Sequence, residues 1–242
     1  MGQCVAHRGW SGRAPENTIA AFKLALAEDA ISAIELDVHL SKDGVPVVIH
    51  DHWIDRTTNG TGMVGAYTFD ELSQFDAGSW FDPSFEGERI PSLEDVLHLT
   101  KGKKNLVIEL KALPSFYNGL EEAVTKLVHQ YDMTDDVLFI SFDHESIKRM
   151  NELDPAFQTG LLFMGRSTLI LEQLNYTGAM NASIHYPYVT KEIVDTLLEA
   201  GKQVSVWTVD NPAHIQAVLS LHPDLNITTN HPDRVFKAKV GS

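Results

Sequence analysis

The chain has 242 residues, 43% of them hydrophobic, and a formal net charge of −14 at pH 7. That length accommodates one large α/β domain or two small ones, and no run approaches the ~18–20 consecutive apolar residues that a membrane-spanning helix requires. The acidic balance excludes nucleic-acid backbones and anionic membranes as electrostatic partners, and it requires any anionic substrate to be captured locally by a few cations or a metal. Cys4 is the single cysteine, so there is no internal disulfide framework, which fits a reducing compartment. The opening MGQCVAHRGW lacks a basic start, an apolar core and a small-residue cleavage site. The expectation is a cytoplasmic protein without stable membrane association.

From residue 3 the chain alternates strand-like and helical runs. Gln3 to Ala6 reads as a short strand ending in His7-Arg8-Gly9. Gly9, Gly12 and Pro15 then break the chain, and Asn17 or Thr18 caps a helix with apolar positions Ile19, Phe22, Leu24 and Leu26. Ala33 to Leu40 reads as a strand, Lys42-Asp43-Gly44 as a turn, and Val45 to Ile49 as a β-branched run. That turn is too short for a parallel crossover, so the second run folds back antiparallel as a hairpin. Residues 53–91 are irregular and rich in glycine and aromatics, with a short helix starting at the capping box Thr68-x-x-Glu71. Ser92-x-x-Asp95 opens another helix.

The remainder is more regular. Strands are expected at 106–110, 137–140, 158–163, 181–185, 203–209 and 226–229, with helices at 118–130, 144–153, 168–174, 190–200 and 212–220. Gly201 closes the fourth of these helices as its C′ residue, and Pro212 opens the fifth. With the hairpin's return arm counted as an excursion, eight parallel strands remain, each followed by a helical run. This predicts an α/β fold, a closed (β/α)8 TIM barrel of about the usual ~250 residues. An open doubly wound sheet is the alternative, but its usual Gly-rich dinucleotide loop or switch-point crevice is not evident. The expected organisation is one domain over residues 1–242, with a small cap inserted at about 53–91, because so long a connection is more often functional than spare.

Active sites of such barrels lie at the C-terminal ends of the strands. There the sequence places His7-Arg8, Glu35 and Asp37, His50 and Asp51 on the hairpin, Glu109 and Lys111, Ser141-Phe142-Asp143, His185, Trp207 and Asn230. Glu35, Asp37 and His39 alternate with apolar residues from Ile34 to Leu40, so they share one strand face. Lone carboxylates are costly to bury, and two of them one pleat apart offer hard oxygen donors of the kind Mg²⁺ or Ca²⁺ accepts. Plainer readings exist for each residue: a solvated hairpin edge, a loop histidine, an Arg8 paired to a neighbouring acid, a Glu109–Lys111 ion pair, a rim tryptophan. Their common placement at one barrel mouth favours the functional reading.

His7-Arg8-Gly9 is followed by Pro15-Glu16-Asn17-Thr18, Glu35-Leu36-Asp37-Val38, Lys42-Asp43-Gly44-Val45-Pro46-Val47-Val48, His50-Asp51, Glu109-Leu110-Lys111 and Val206-Trp207-Thr208-Val209. In this order the motifs closely resemble the glycerophosphodiester phosphodiesterase family over essentially the whole chain. The resemblance implies that Glu35, Asp37 and Glu109 bind one divalent cation, Ca²⁺ or Mg²⁺, and that His7 and His50 form a general acid/base pair. It implies that Arg8 and Lys111 contact the phosphate, and that Phe142 and Trp207 belong to an apolar wall on the glycerol side. The implied reaction is hydrolysis of small-molecule glycerophosphodiesters to sn-glycerol 3-phosphate and an alcohol. Asp210, where many relatives carry Asn, and Asn230, where many carry Asp, depart from the family pattern, as does Asn226 in place of Gly. A lysophospholipase D-like or phosphatidylinositol phospholipase C-like enzyme is the alternative, with Trp80, Phe81 and Phe85 as an exposed apolar rim. A non-catalytic binder of phosphorylated polyols is a third reading.

Overall fold

A computed structural model describes residues 2–113 and 118–240. The chain begins with β1 (Cys4–Ala6), α1 (Ile19–Leu26), β2 (Ala33–Leu40) and β3 (Pro46–Val48), followed by α2 (Phe69–Leu72) and α3 (Leu93–Thr100). It then alternates regularly through β4 (Asn105–Leu110), α4 (Leu120–Gln130), β5 (Val137–Ser141), α5 (His144–Leu153), β6 (Gln158–Phe163) and α6 (Ile170–Thr177). The last turns of the pattern are β7 (Asn181–His185), α7 (Lys191–Glu199), β8 (Gln203–Trp207), α8 (Pro212–Leu221), β9 (Asn226–Thr229) and α9 (Pro232–Val240).

Parallel pairing runs from β1 to β2, then through β4, β5, β6, β7, β8 and β9, and β9 returns to β1. Eight parallel strands therefore close into a (β/α)8 barrel with the helices outside, as the strand count predicts. β3 is the excursion. It pairs antiparallel with the far end of β2, with Val38 opposite Val48 and Leu40 opposite Pro46. This is possible because β1 is short: it aligns only with Ala33 and Ile34, leaving the rest of that edge of β2 open. β1 stops where Arg8 (φ 54°) and Gly9 (φ 78°) turn left-handed. A Cβ on Gly9 would meet the Ala21 backbone at 2.7 Å, so only glycine fits this close approach to α1.

Period-two alternation divides β2. Ile34, Leu36, Val38 and Leu40 pack in the main core with Phe22, Leu93, Val96 and Leu97, which leaves Glu35, Asp37 and His39 on the opposite face. The return arm divides the same way. Val48 joins that main core, whereas Val47 and Ile49 join a second cluster with Ile54, Val64, Leu72, Ala77 and Ile90. The inserted stretch thus has its own small core, anchored on the arm that carries His50. The predicted capping box forms at Thr68–Glu71, and Ser92–Asp95, expected to open a helix, forms a second one.

Some boundaries differ from the sequence expectation. Thr18 caps α1 as foreseen, but Leu24 is exposed rather than a core position. α6 starts at Ile170 because Leu169 is left-handed (φ 56°), and it runs on to Thr177 before Gly178 (φ 79°) ends it. The final helix, α9, lies beyond the last predicted element; Pro232 opens it, and Val235 and Ala238 bury its inner face. Among the described residues no helix is long and apolar enough to cross a membrane.

Candidate active site

The mouth is organised by two left-handed residues. His7 continues β1 by donating its N–H to Thr229 O (3.0 Å). Arg8 then takes a conformation that costs a non-glycine residue on the order of 1–3 kcal/mol. It is retained because its backbone N–H donates to Glu35 Oε2 at 2.8 Å, and its carbonyl accepts from Asn17 N–H at 3.0 Å. Asn17 is also left-handed (φ 57°), a position asparagine tolerates. Its side chain donates to Asp37 Oδ2 at 2.8 Å.

Glu35, Asp37 and Glu109 are all buried, and each offers one oxygen such that the three atoms lie within 4.8 Å of one another. The solvated-hairpin reading therefore does not hold. The register explains the meeting, since Asp37 stands opposite Glu109 across the β2–β4 pair. Two cations flank the group. Lys111 Nζ is 2.9 Å from Asp37 Oδ1 and 2.5 Å from Glu109 Oε1, and Arg8 Nε is 3.2 Å from Asp37 Oδ2. Arg8 is also bound to Glu16 at 2.8 Å. The paired readings of Arg8 and Lys111 thus hold together with their placement at the mouth.

These contacts separate the acidities of the three carboxyls. Burial would raise Asp37, but Lys111 and Arg8 outweigh it and hold that carboxyl well below the usual range. Burial and repulsion from Asp37 push Glu35 well above its ordinary value. Burial also pushes Glu109 up, to about 7, against the pull of Lys111. Three buried, converging carboxylates with two cations beside them fit a hard divalent cation, and burial makes Glu35 and Glu109 hold a proton more tightly than usual, a proton such an ion would displace.

The two imidazoles differ. His7 Nδ1 lies 2.7 Å from Asn230 Oδ1, while Nε2 sits 3.9 Å from Glu35 Oε2. Burial, reinforced by Arg8, pushes His7 down to about 4, so it is neutral at physiological pH. His50 is half-buried and bonds Asp51 Oδ1 through Nδ1 at 2.5 Å. Burial lowers it too, with Asp37 opposing. His39 Nε2 donates to the His50 carbonyl at 3.0 Å, and the preceding residue is tied to β2 by Ile49 N–H donating to Asp37 O at 3.1 Å.

His50, Asp51, Glu109 and Lys111 line a cavity of about 570 Å³ whose apolar lining includes Trp53, Leu113 and Phe142. Phe142 meets Trp207 edge to face at 5.6 Å, and the Trp207 indole donates to Ser183 O. Of the other strand-end residues, Asp143 caps α5 and is spent there. His185 packs at a tilt against both Trp207 (4.9 Å) and Tyr188 (5.8 Å).

The sequence placed neither Glu16 nor Arg56 in the site, and it offered Asn17 only as a candidate helix cap. Arg56 grips Asp51 (2.6 Å) and Glu16 (2.7 Å), so a charged chain links Arg8 to His50 around the mouth. Burial raises the Asp51 carboxyl, but Arg56 and His50 hold it at about 2. The Pro15-Glu16-Asn17-Thr18 motif carried a signal for two of the three; Arg56 had none beyond its place just after His50-Asp51. Two of the three family departures also prove to be partners, with Asn230 Nδ2 donating to Asp210 Oδ2 at 2.7 Å.

Interleaved buried cations and carboxylates at a barrel mouth, beside two imidazoles whose protonated forms are disfavoured, suit a hydrolase acting on an anion. A model of the glycerophosphoryl diester phosphodiesterase family matches residues 7–234. The chain is 38% identical over 236 residues to the glycerophosphodiester phosphodiesterase of Caldanaerobacter subterraneus subsp. tengcongensis, covering 96% of this chain and 95% of that protein. Among solved structures, an Oleispira antarctica phosphodiesterase in complex with the product sn-glycerol-3-phosphate superposes with a TM-score of 0.93 at 29% identity, over 100% of this chain and 98% of that one. The Agrobacterium tumefaciens glycerophosphodiester phosphodiesterase gives 0.84 at 33% identity, over 97% and 99%. The chain belongs to the glycerophosphoryl diester phosphodiesterase family, and it is a phosphoric diester hydrolase.

Proposed function

We propose that this enzyme hydrolyses glycerophosphodiesters to sn-glycerol 3-phosphate and an alcohol, using one Ca²⁺ or Mg²⁺ held by Glu35, Asp37 and Glu109. The observation that carries the reading is the buried carboxylate triad beside His7 and His50. When bound, the ion supplies charge neutralisation to the phosphate. Arg8 and Lys111 add to it, Arg8 through a planar fork and Lys111 as a point charge. One histidine takes the proton of the nucleophile, and the other donates to the departing alkoxide. The nucleophile is the neighbouring glycerol hydroxyl, giving a cyclic phosphate that water opens, or water itself. Phe142 and Trp207 receive the apolar faces of the substrate. The product found in the Oleispira antarctica relative supports this substrate class.

Barrel and cap act as one domain in this reading, since the cap core shares the His50 arm. A cytoplasmic location accompanies it, motivated by the single buried Cys4. The lipid-surface alternative draws on Trp80 and Phe81, which are exposed in the cap, although the same side chains also form a local aromatic cluster. Trp80, Phe81 and Phe85 stack edge to face on one another at 5.7 Å, and the Trp80 indole donates to Ala77 O.

The test is a coupled glycerol 3-phosphate assay across several head groups, with EDTA or with added Ca²⁺ or Mg²⁺. Cation-dependent release of glycerol 3-phosphate is expected; its absence for every head group refutes the reading. A pH dependence follows as well. Glu109 and Glu35 bind protons more tightly folded than unfolded, so the ion-free fold loses their contribution as pH rises from the ordinary 4.5 through about 7 for Glu109. A divalent cation replaces those protons. The rise in melting temperature on adding Ca²⁺ is therefore expected to be small at about pH 5 and to grow through neutrality. A shift that shrinks with rising pH would contradict this.

A further inference from the structure

We propose that Asn230, oriented by Asp210, is the positioning residue that fixes His7 as the Nδ1–H tautomer and presents the lone pair of Nε2 to the carboxylate cluster. The proposal rests on the reading of His7 as a proton-transfer group.

An asparagine amide can face a ring nitrogen with either its oxygen or its NH₂, and the two orientations select opposite tautomers. Here the choice is made one residue away. Asp210 Oδ2 lies 2.7 Å from Asn230 Nδ2, and an ionised carboxylate only accepts, so the NH₂ must face Asp210. The amide oxygen then faces His7 Nδ1 and Ser11 Oγ, each at 2.7 Å. An acceptor at that distance requires the imidazole proton on Nδ1. Nε2 is left without it, 3.9 Å from Glu35 Oε2 and beyond hydrogen-bond range.

Asp210 is itself fixed. Its Oδ1 accepts from Thr229 Oγ1 at 2.9 Å and from Asn230 N–H at 2.8 Å, and its carbonyl accepts from Arg234 Nη1 at 2.8 Å. The relay therefore runs from α9 through the loop after β8 and the end of β9 to the end of β1. A neutral residue at 210 would remove the bias, because the Asn230 amide could then turn its NH₂ toward His7. That turn favours the Nε2–H tautomer and puts a proton where the lone pair should be.

The test combines ring-nitrogen NMR with kinetics on the intact chain. Long-range ¹H–¹⁵N correlation at about pH 8, where imidazoles are neutral, reads the His7 tautomer without substrate, with His7→Asn identifying its signals. Wild type is expected to show Nδ1–H. Asp210→Asn and Asn230→Ala are expected to show a mixed or reversed tautomer. Their kcat should fall by roughly ten- to a hundredfold, by analogy with lost partners of metal-ligating histidines, with little change in KM or in the Ca²⁺-induced thermal shift. Combining Asp210→Asn with Asn230→Asp restores an acceptor for Nδ1 and a donor–acceptor pair of unchanged total charge. This double variant is expected to recover the wild-type tautomer and most of kcat, a strong non-additivity. Retention of Nδ1–H in Asp210→Asn, or a double variant no better than the singles, overturns the proposal. If wild type proves inactive on glycerophosphodiesters, the functional reading fails, but the tautomer measurement still decides this inference.

Discussion

Asp37→Asn is expected to abolish cation binding and reduce turnover to background while destabilising the ion-free fold by on the order of 3 kcal/mol, the cost of breaking a buried ion pair. Asp37 is fully buried and answers two cations, Lys111 at 2.9 Å and Arg8 at 3.2 Å. The isosteric amide keeps the volume and can still bond Asn17, but it leaves both cations undercompensated. Its charge contributes stability that is present above the ordinary carboxyl range and lost as pH falls, because the native carboxyl is held unusually acidic. Glu35→Gln is expected to do the opposite in chelated protein. That carboxyl is pushed up by burial and by Asp37, so removing its titration costs little or stabilises. Both variants should lose the cation-induced melting shift. Denaturation in EDTA and after adding Ca²⁺ separates the two signs. Equal destabilisation by both variants, or full activity of exhaustively chelated wild type, would show that the cluster is something other than a cation site.

His50→Ala is expected to lower turnover of glycerophosphocholine by about 10²–10⁴-fold, the usual worth of a positioned acid or base, with the melting temperature nearly unchanged. The small stability cost follows from placement: His50 is about a third exposed at the cavity wall, its carbonyl is held by His39, and the strand is anchored by Ile49 N–H on Asp37 O rather than by the His50 ring. Its Nδ1 is committed to Asp51, which leaves Nε2 for proton transfer. The coupled assay and a thermal melt on the same preparation check both halves. Near wild-type turnover would remove His50 from the acid/base pair.

Much of the site was legible because strand periodicity and short motifs are local. Glu35 and Asp37 on one face, the hairpin return, and Glu109 with Lys111 at a strand end all followed from spacing within single segments. The tight turn at Lys42–Gly44 forced the antiparallel arm. What escaped was the set of residues whose roles depend on distant partners. Arg56 has no local signature, yet it binds Asp51 and reaches Glu16, 40 positions away. Asn230 was legible as a strand-end residue and, like Asp210, as a separate departure from a pattern; their hydrogen bond makes them one device. Leu24 and the ends of α6 were misjudged for the complementary reason: apolarity alone does not reveal which face meets the barrel, nor where a left-handed residue interrupts a helix.

By itself, then, the amino-acid order determined the alternation of strands and helices, the excursion of the hairpin, and the chemical kinds of side chain at the strand ends. Those are consequences of backbone periodicity, turn chemistry and side-chain polarity. Only the closed barrel decided that Glu109 would stand beside Asp37, that Lys111 and Arg8 would split the acidities of three carboxyls, and that burial would keep His7 neutral. The physical reason is that charge–charge and desolvation effects act through space. They exist only once β1, β2 and β4 bring their ends together in a mouth that excludes most of the water.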